Sequence, residues 1–150
     1  MKRDQSSPGS LQAKGCRSRR TLLKSAVGLL AMQRAAAGPS DAHPDSVTLE
    51  MAREAHERGE ALLIDIREAE EHARGVAAGA HLLPMSQLRQ RLTEIPVEPG
   101  KLVLLICNTQ NRSAAALRAL RPYGYGHVRF VNGGMAEWVR RGWPVVVPPR

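Results

Sequence analysis

The sequence predicts an α/β domain built on a central, mostly parallel sheet of about five strands. Short apolar runs at residues 61–65, 101–106 and 128–131 have the composition of strands that are buried on both faces. Segments of helical composition separate these runs. Strands and helices that alternate at this spacing are typical of parallel sheets flanked by helices.

The bounds of each element follow from apolar periodicity and from the residues that start or stop helices. We predict helices over residues 49–58, 86–92, 114–121 and 135–141, the second of them capped by Ser86. We predict extended segments at residues 47–48 (or a helix cap there), 61–65, 81–83, 101–106 and 128–131. Polar or glycine-containing connections are expected at residues 67–71, 75–80, 96–100 and 132–134.

The positive charge of the chain is concentrated at its N-terminus. The formal net charge of the 150 residues is +8, and residues 1–37 contribute +7 of it. The remaining residues are almost neutral, and the chain has only five aromatic side chains. With no basic stripe and no stacking surface for bases, we expect no nucleic-acid binding.

Residues 1–37 resemble an export signal. The segment Ser18-Arg19-Arg20-Thr21-Leu22-Leu23-Lys24 is similar to the bacterial twin-arginine motif, and an apolar run and the small residues Ala35-Ala36-Ala37 follow it. The apolar run, at residues 26–32, is much shorter than the ~20 residues that cross a bilayer, so we expect no stable membrane span. The alternative is a basic tail that happens to contain two arginines.

These features divide the chain into three parts. We predict a twin-arginine signal peptide at residues 1–37, a linker rich in proline and polar residues at 38–45, and one folded domain at 46–150. The expected location is the periplasm, or the cytoplasm if the leader does not function.

A lone cysteine ends the most apolar strand and is the candidate nucleophile. Cys107 follows the run at residues 101–106, and a polar loop and a helix come after it. The N-terminus of a helix carries free N–H groups and the positive end of the helix dipole. A thiol in such a place is expected to ionise more readily than an ordinary thiol. The alternative interpretation is a buried cysteine that packs as a small apolar residue.

Metal sites are not expected in this sequence. Apart from Cys107 the sequence contains one cysteine, Cys16, which lies in the predicted leader. A single thiol in the folded domain cannot build a cysteine-rich metal site, and the five histidines lack ligand spacing. We therefore expect neither a metal nor a cofactor.

Residues 46–145 resemble a single-domain rhodanese, a sulfurtransferase homology domain. Six segments carry the resemblance in the family's order: Leu63-Ile64-Asp65-Ile66-Arg67, Glu71 with Gly75, Gly79-Ala80 with Pro84, Cys107 with Arg112-Ser113, Asn132-Gly133-Gly134 with Trp138, and Gly142-Trp143-Pro144-Val145. The resemblance implies the rhodanese-like three-layer fold, in which helices cover both faces of a central parallel sheet.

The resemblance also implies an activity. The Cys107 thiolate would attack the sulfane sulfur of a small anion such as thiosulfate, and a thiol, cyanide or a protein would then accept the outer sulfur of the Cys107 persulfide. The backbone of the loop would hold the persulfide. The residues of this loop are Asn108, Thr109, Gln110, Asn111, Arg112 and Ser113.

Asp65, Arg67 and Glu71 are expected to support the loops around Cys107. By the resemblance, Arg112 would brace the loop, with Glu71 or Asp65 as its acidic partner. Asp65 and Arg67 would brace neighbouring loops and would not act as acid or base. The family usually has glycine where this chain has Gln110, so a positive φ at Gln110 would be strained.

Other functions remain open at this point. Cysteine phosphatases place five residues between cysteine and arginine, whereas four separate Cys107 from Arg112, which fits a persulfide better than a phosphate. A non-catalytic sulfur carrier or partner-docking module would have the same motifs. Redox sensing through Cys107 is a further possibility.

The leader generates the first testable prediction. Replacing Arg19 and Arg20 with lysine should leave the full chain in the cytoplasm, because the arginine pair is the feature that resembles the export motif. Fractionation of cells into periplasm and cytoplasm measures the change. The matched control replaces Lys2 with arginine and Arg3 with lysine, and it should not alter the distribution between periplasm and cytoplasm. Equal periplasmic amounts of the two variants would contradict the twin-arginine assignment.

Overall fold

The structure of the chain is a computed structural model that describes residues 43–98 and 100–149. The predicted leader at residues 1–37 and linker residues 38–42 lie outside the described residues. Across the described residues, none of the helices combines the length and apolar character that a membrane-spanning helix requires.

A five-stranded, fully parallel sheet forms the centre of the fold, and its order along the sheet is β1-β5-β4-β2-β3. This confirms the predicted α/β class and the number of strands. β4 lies in the middle, between β5 and β2. The strands are β1 (Ser46–Val47), β2 (Ala61–Asp65), β3 (His81–Leu82), β4 (Leu102–Ile106) and β5 (Arg129–Val131).

Helices cover both faces of this sheet. The α-helices are α1 (Leu49–Glu57), α2 (Ala69–His72), α3 (Asn111–Leu120) and α4 (Gly134–Arg140), and 3₁₀-helices occur at Met85–Gln87, Leu92–Glu94 and Arg121–Tyr123. Along β4, Val103 and Leu105 belong to the core layer that contains α3 residues, whereas Leu104 and Ile106 belong to the layer that contains α1 and α4 residues. This alternation follows from the two-residue period of a strand.

Two predicted elements were wrong. Residues 67–71 were expected to form a polar turn, but α2 begins within them, at Ala69. Glu68 is its N-cap and Glu71 the third helical residue, and the two form a reciprocal capping box that compensates for the lack of apolar periodicity in so short a helix. The helix has only four residues, which are too few for an apolar repeat to indicate it in the sequence.

The helix expected at residues 86–92 is absent as such, and two 3₁₀ turns separated by other backbone take its place. Ser86 does not cap a helix. Its Oγ donates to Glu68 and its backbone N–H donates to the same carboxylate. The tertiary contact between the residues after β3 and the start of α2 therefore replaces the local cap that the sequence suggested.

Candidate active site

Cys107 lies at the carboxyl end of the central strand, on the face covered by α3. The residue is 1% exposed, and it belongs to the same core layer as Leu105 and Leu117. The Sγ atom is 3.5 Å from the hydroxyl oxygen of Ser113, which is also fully buried. Carboxyl ends of parallel strands are the usual location of reactive groups in open α/β sheets.

The backbone after Cys107 is attached to the start of α4. The Met135 N–H donates to the carbonyl of Cys107, and the Ala136 N–H donates to the carbonyl of Asn108, both at 2.8 Å. These donors belong to the first turn of α4, whose N–H groups have no partner within the helix. The loop therefore supplies the acceptors that complete the helix, and its carbonyl groups point toward α4.

Close approach between loop and helix depends on glycine at position 134. A Cβ atom built on Gly134 would lie 2.4 Å from the carbonyl oxygen of Cys107, 2.6 Å from that of Asn108 and 2.5 Å from that of Thr109. The backbone φ of Gly134 is +59°, a conformation that L-residues rarely adopt. Both space and conformation thus require glycine.

The orientation of these carbonyls leaves a run of free donors. In a trans peptide the carbonyl and the next N–H point in opposite directions, so the N–H groups of residues 108–110 are directed away from α4. Among the described residues, none of the six backbone N–H groups of residues 108–113 has a hydrogen-bond acceptor. A curved run of such groups after a strand and at a helix N-terminus is an anion-binding arrangement.

Ser113 and Gln110 join the loop to α3. Gln110 is the N-cap residue of α3, and its carbonyl accepts the N–H of Ala114 at 2.8 Å and the hydroxyl of Ser113 at 3.0 Å. The φ of Gln110 is −163°, which is extended backbone that any residue adopts. The strain considered for a residue other than glycine at this position does not arise, because the chain enters α3 without a left-handed residue.

Arg112 makes an ion pair with Glu71. Its Nη1 and Nη2 atoms donate to Oε2 and Oε1 of Glu71 at 2.6 and 2.7 Å, which joins α3 to α2. These hydrogen bonds lower the pKa of Glu71 to about 2, with smaller contributions from the backbone N–H of Glu68, which donates to the same carboxylate, and from the Coulombic attraction of the guanidinium. Of the two carboxylates considered as partners, Glu71 is the one that binds Arg112.

Asp65 binds Arg67 instead, in the interior. Asp65 has no exposed surface. Its two carboxylate oxygens share the N–H of Arg67 Nε at 3.0 Å, and Oδ2 also accepts from Nη2 at 2.6 Å. Nη2 of Arg67 also donates to the carbonyl of Gly75 at 2.8 Å. The pair therefore connects the end of β2 to the loop after α2. The buried ring of His72 approaches the same carboxylate, with Nε2 3.4 Å from Oδ1.

The structure thus gathers the candidate residues into two groups. Residues 107–113 form one continuous loop and helix start, to which Glu71 is attached through Arg112. Asp65 and Arg67 form a second, buried group beneath the neighbouring loop. Within the described part of the chain, no three histidine, cysteine, aspartate or glutamate side chains form a cluster that could hold a metal ion.

Two contacts were not foreseen from the sequence. The sequence predicts a turn at Gly134, and the close approach of Gly134 to the carbonyls of residues 107–109 has no local signal apart from the glycine pair itself. The contact between Glu68 and Ser86 joins positions 18 residues apart, which no periodicity could indicate. The spacing of Glu68 and Glu71, a capping-box pattern, is the one sequence signal that could have placed the start of α2.

Comparison with known proteins places this geometry in a family. Residues 48–141 match the Rhodanese-like domain family. The chain belongs to this family. A protein named "Sulfurtransferase" from Allochromatium vinosum is 39% identical over 87 residues, which are 58% of this chain and 79% of that protein.

Solved rhodanese structures have the same fold. A rhodanese-related protein from Thermoplasma volcanium is 31% identical with a TM-score of 0.60, and the match covers 69% of this chain and 98% of that one. A human single-domain sulfurtransferase is 27% identical with a TM-score of 0.57, and that match covers 66% of this chain and 98% of the human one. The predicted rhodanese-like fold is confirmed.

The ion pair of Arg112 generates a prediction about stability and pH. Because the folded-state pKa of Glu71 is lowered to about 2, the contribution of the pair is complete above about pH 5 and is lost as the pH falls toward 2. Glu71→Gln should therefore reduce the free energy of unfolding by about 1 kcal/mol at pH 7, a modest value because both side chains are partly exposed. The difference from the wild-type chain should shrink below pH 5.

Urea unfolding at several pH values measures this difference. Glu70→Gln is the matched control, because Glu70 is an exposed residue of the same short helix. A Glu71→Gln effect that stays constant from pH 7 to pH 3 would show that the ion pair does not contribute as described.

Gly134 generates a second prediction from the site. Gly134→Ala should reduce the free energy of unfolding by about 2 kcal/mol more than Gly142→Ala, because the added methyl group collides with the loop carbonyls. Gly142 is a matched control, since its φ is +68° and nothing lies within 4 Å of a Cβ there. Chemical unfolding measures both variants, and equal losses would mean that the collision is relieved at no cost.

Proposed function

We propose that this chain is a sulfurtransferase that moves a sulfane sulfur from a donor such as thiosulfate to a thiophilic acceptor through a persulfide on Cys107. Membership of the rhodanese family and the 39% identity to the Allochromatium vinosum sulfurtransferase support sulfur transfer in general. The observation that carries the proposal is the run of unpaired N–H groups at residues 108–113 beside a single buried thiol.

The first half-reaction would load the enzyme. The Cys107 thiolate attacks the outer sulfur of thiosulfate and forms a new S–S bond, while the S–S bond of thiosulfate breaks and sulfite leaves with its electron pair. The free N–H groups of the loop and the N-terminus of α3 stabilise the negative charge of the resulting persulfide. These donors are fixed before the reaction because α4 holds the carbonyls of the same loop.

The second half-reaction would release the sulfur. The thiolate of an acceptor, or cyanide, attacks the outer sulfur of the persulfide, and the Cys107 thiolate leaves. No redox cofactor takes part, because each step exchanges one bond to sulfur for another. A small-molecule thiol or a protein thiol is the proposed acceptor in the cell.

The loop fits a persulfide better than a phosphate ester. Between Cys107 and Arg112 it has four residues, and the Arg112 guanidinium is engaged by Glu71 through both terminal nitrogens. A phosphatase needs that guanidinium to clamp the phosphate dianion. The engaged arginine therefore supports sulfur transfer over phosphate hydrolysis.

We also propose that Arg112 braces the loop and that Asp65 and Arg67 hold the neighbouring loop in place. The first pair joins α3 to α2, and the second joins the end of β2 to the loop after α2. The proposed location of the activity is the periplasm, and it rests on the twin-arginine-like leader in the sequence.

Intact-mass analysis of the purified chain tests the proposed function. After incubation with thiosulfate the mass should rise by one sulfur atom, and cyanide should remove it with formation of thiocyanate. Cys107→Ser should gain no sulfur, whereas Cys16→Ser, the matched control, should behave like the wild-type chain. Persistent loading without release to cyanide or thiols would favour a sulfur carrier. Absence of any adduct with thiosulfate or an organic persulfide would leave partner docking or redox sensing.

A further inference from the structure

Gln110 connects the loop after Cys107 to the turn that precedes α4. Its side-chain oxygen Oε1 accepts the backbone N–H of Gly133 at 3.0 Å. Gly133 is the N-cap residue of α4 and has a φ of +77°. Together with the backbone bonds from Met135 and Ala136, this contact attaches the loop to α4 at three points, and the side chain of Gln110 supplies the third.

The same residue is connected to the thiol from its other side. The backbone carbonyl of Gln110 accepts the hydroxyl of Ser113, which lies 3.5 Å from Sγ of Cys107. A movement of Gln110 away from Gly133 would therefore displace the start of α3 and the hydroxyl beside the thiol. The side chain of Gln110 thus links the position of the loop to the surroundings of Cys107.

The burial of Cys107 makes this link relevant to access. Cys107 is 1% exposed, while loop residues 108–111 are exposed. A small reagent needs little movement to reach the sulfur. A bulky one needs residues 108–111 and the start of α3 to move, because the thiol lies in the core layer of α3, beside the hydroxyl of Ser113. Such local opening competes with the contacts that hold the segment closed.

We propose that Gln110 is a positioning residue that holds the loop against α4. By this contact it makes sulfur exchange at Cys107 favour small sulfane donors over bulky organic persulfides. The inference rests on the proposed function for its choice of substrates. The physical claim, restricted access to the thiol, does not depend on sulfur transfer. Glycine at this position, usual in the family, has no side chain that could make the contact with Gly133.

Alkylation of Cys107 in the full chain tests the physical claim. The rates with iodoacetamide, a small reagent, and with fluorescein maleimide, a bulky one, are measured on the peptide that contains Cys107, so that Cys16 does not interfere. Gln110→Ala should raise the ratio of the bulky to the small reagent's rate by roughly two- to tenfold, the range expected for loss of one neutral hydrogen bond. Gln110→Glu keeps an acceptor oxygen and should restore the wild-type ratio.

The ratio of the bulky to the small reagent's alkylation rate also defines the control and the results that would contradict the proposal. Gln90→Ala removes an exposed glutamine elsewhere in the domain and should not change it. A purely structural role of Gln110 would lower the melting temperature without changing the ratio, and that result would overturn the proposal. So would a Gln110→Glu variant that behaves like Gln110→Ala.

Turnover measurements test the choice of substrate. With cyanide as acceptor, the ratio of kcat/KM for thiosulfate to kcat/KM for glutathione persulfide should fall severalfold in Gln110→Ala and return in Gln110→Glu. An unchanged ratio would overturn the substrate claim. If the chain transferred no sulfur from either donor, the proposed function would fail, while the alkylation ratio would still decide whether Gln110 controls access to Cys107.

Discussion

The hydrogen bonds from the first turn of α4 to the carbonyls of Cys107 and Asn108 are the interaction on which the site depends. They satisfy N–H groups that a helix cannot pair internally, and they fix the direction of the loop's peptide planes. Because each carbonyl points toward α4, the following N–H points away from it. A helix that packs beside the loop thus determines the electrostatic character of the residues after Cys107.

This arrangement would let a loop with few charges hold the anionic sulfur of the proposed persulfide. Residues 108–111 are all uncharged, and Arg112 is occupied by Glu71. Fixed backbone dipoles take the place of a side-chain cation, and they require no reorganisation when negative charge develops beside them. Gly134 belongs to the same arrangement, because any side chain at this position would separate α4 from the carbonyls of residues 107–109.

Much of the scaffold was predictable because its signals are local. The strands at 61–65 and 102–106 are continuous apolar runs. The helix α1 begins directly after its capping residue Thr48, and its end was predicted to within one residue. The predictions failed where the partner was distant. Ser86 was predicted to cap a helix, but its hydroxyl donates to Glu68. Gln110 was predicted to be strained in place of glycine, but its side-chain oxygen accepts the N–H of Gly133.

The sequence by itself determined the order of the segments that form the candidate site: an apolar strand, a cysteine, a short polar loop and a helix. Apolar runs and four-residue spacing are properties of the chain that need no knowledge of its partners. Tertiary structure alone decided which carboxylate binds Arg112, which way the loop carbonyls face and what the side chain of Gln110 contacts. These outcomes depend on residues more than 20 positions apart, and only the packing of α2 and α4 around the carboxyl end of the sheet brings them together.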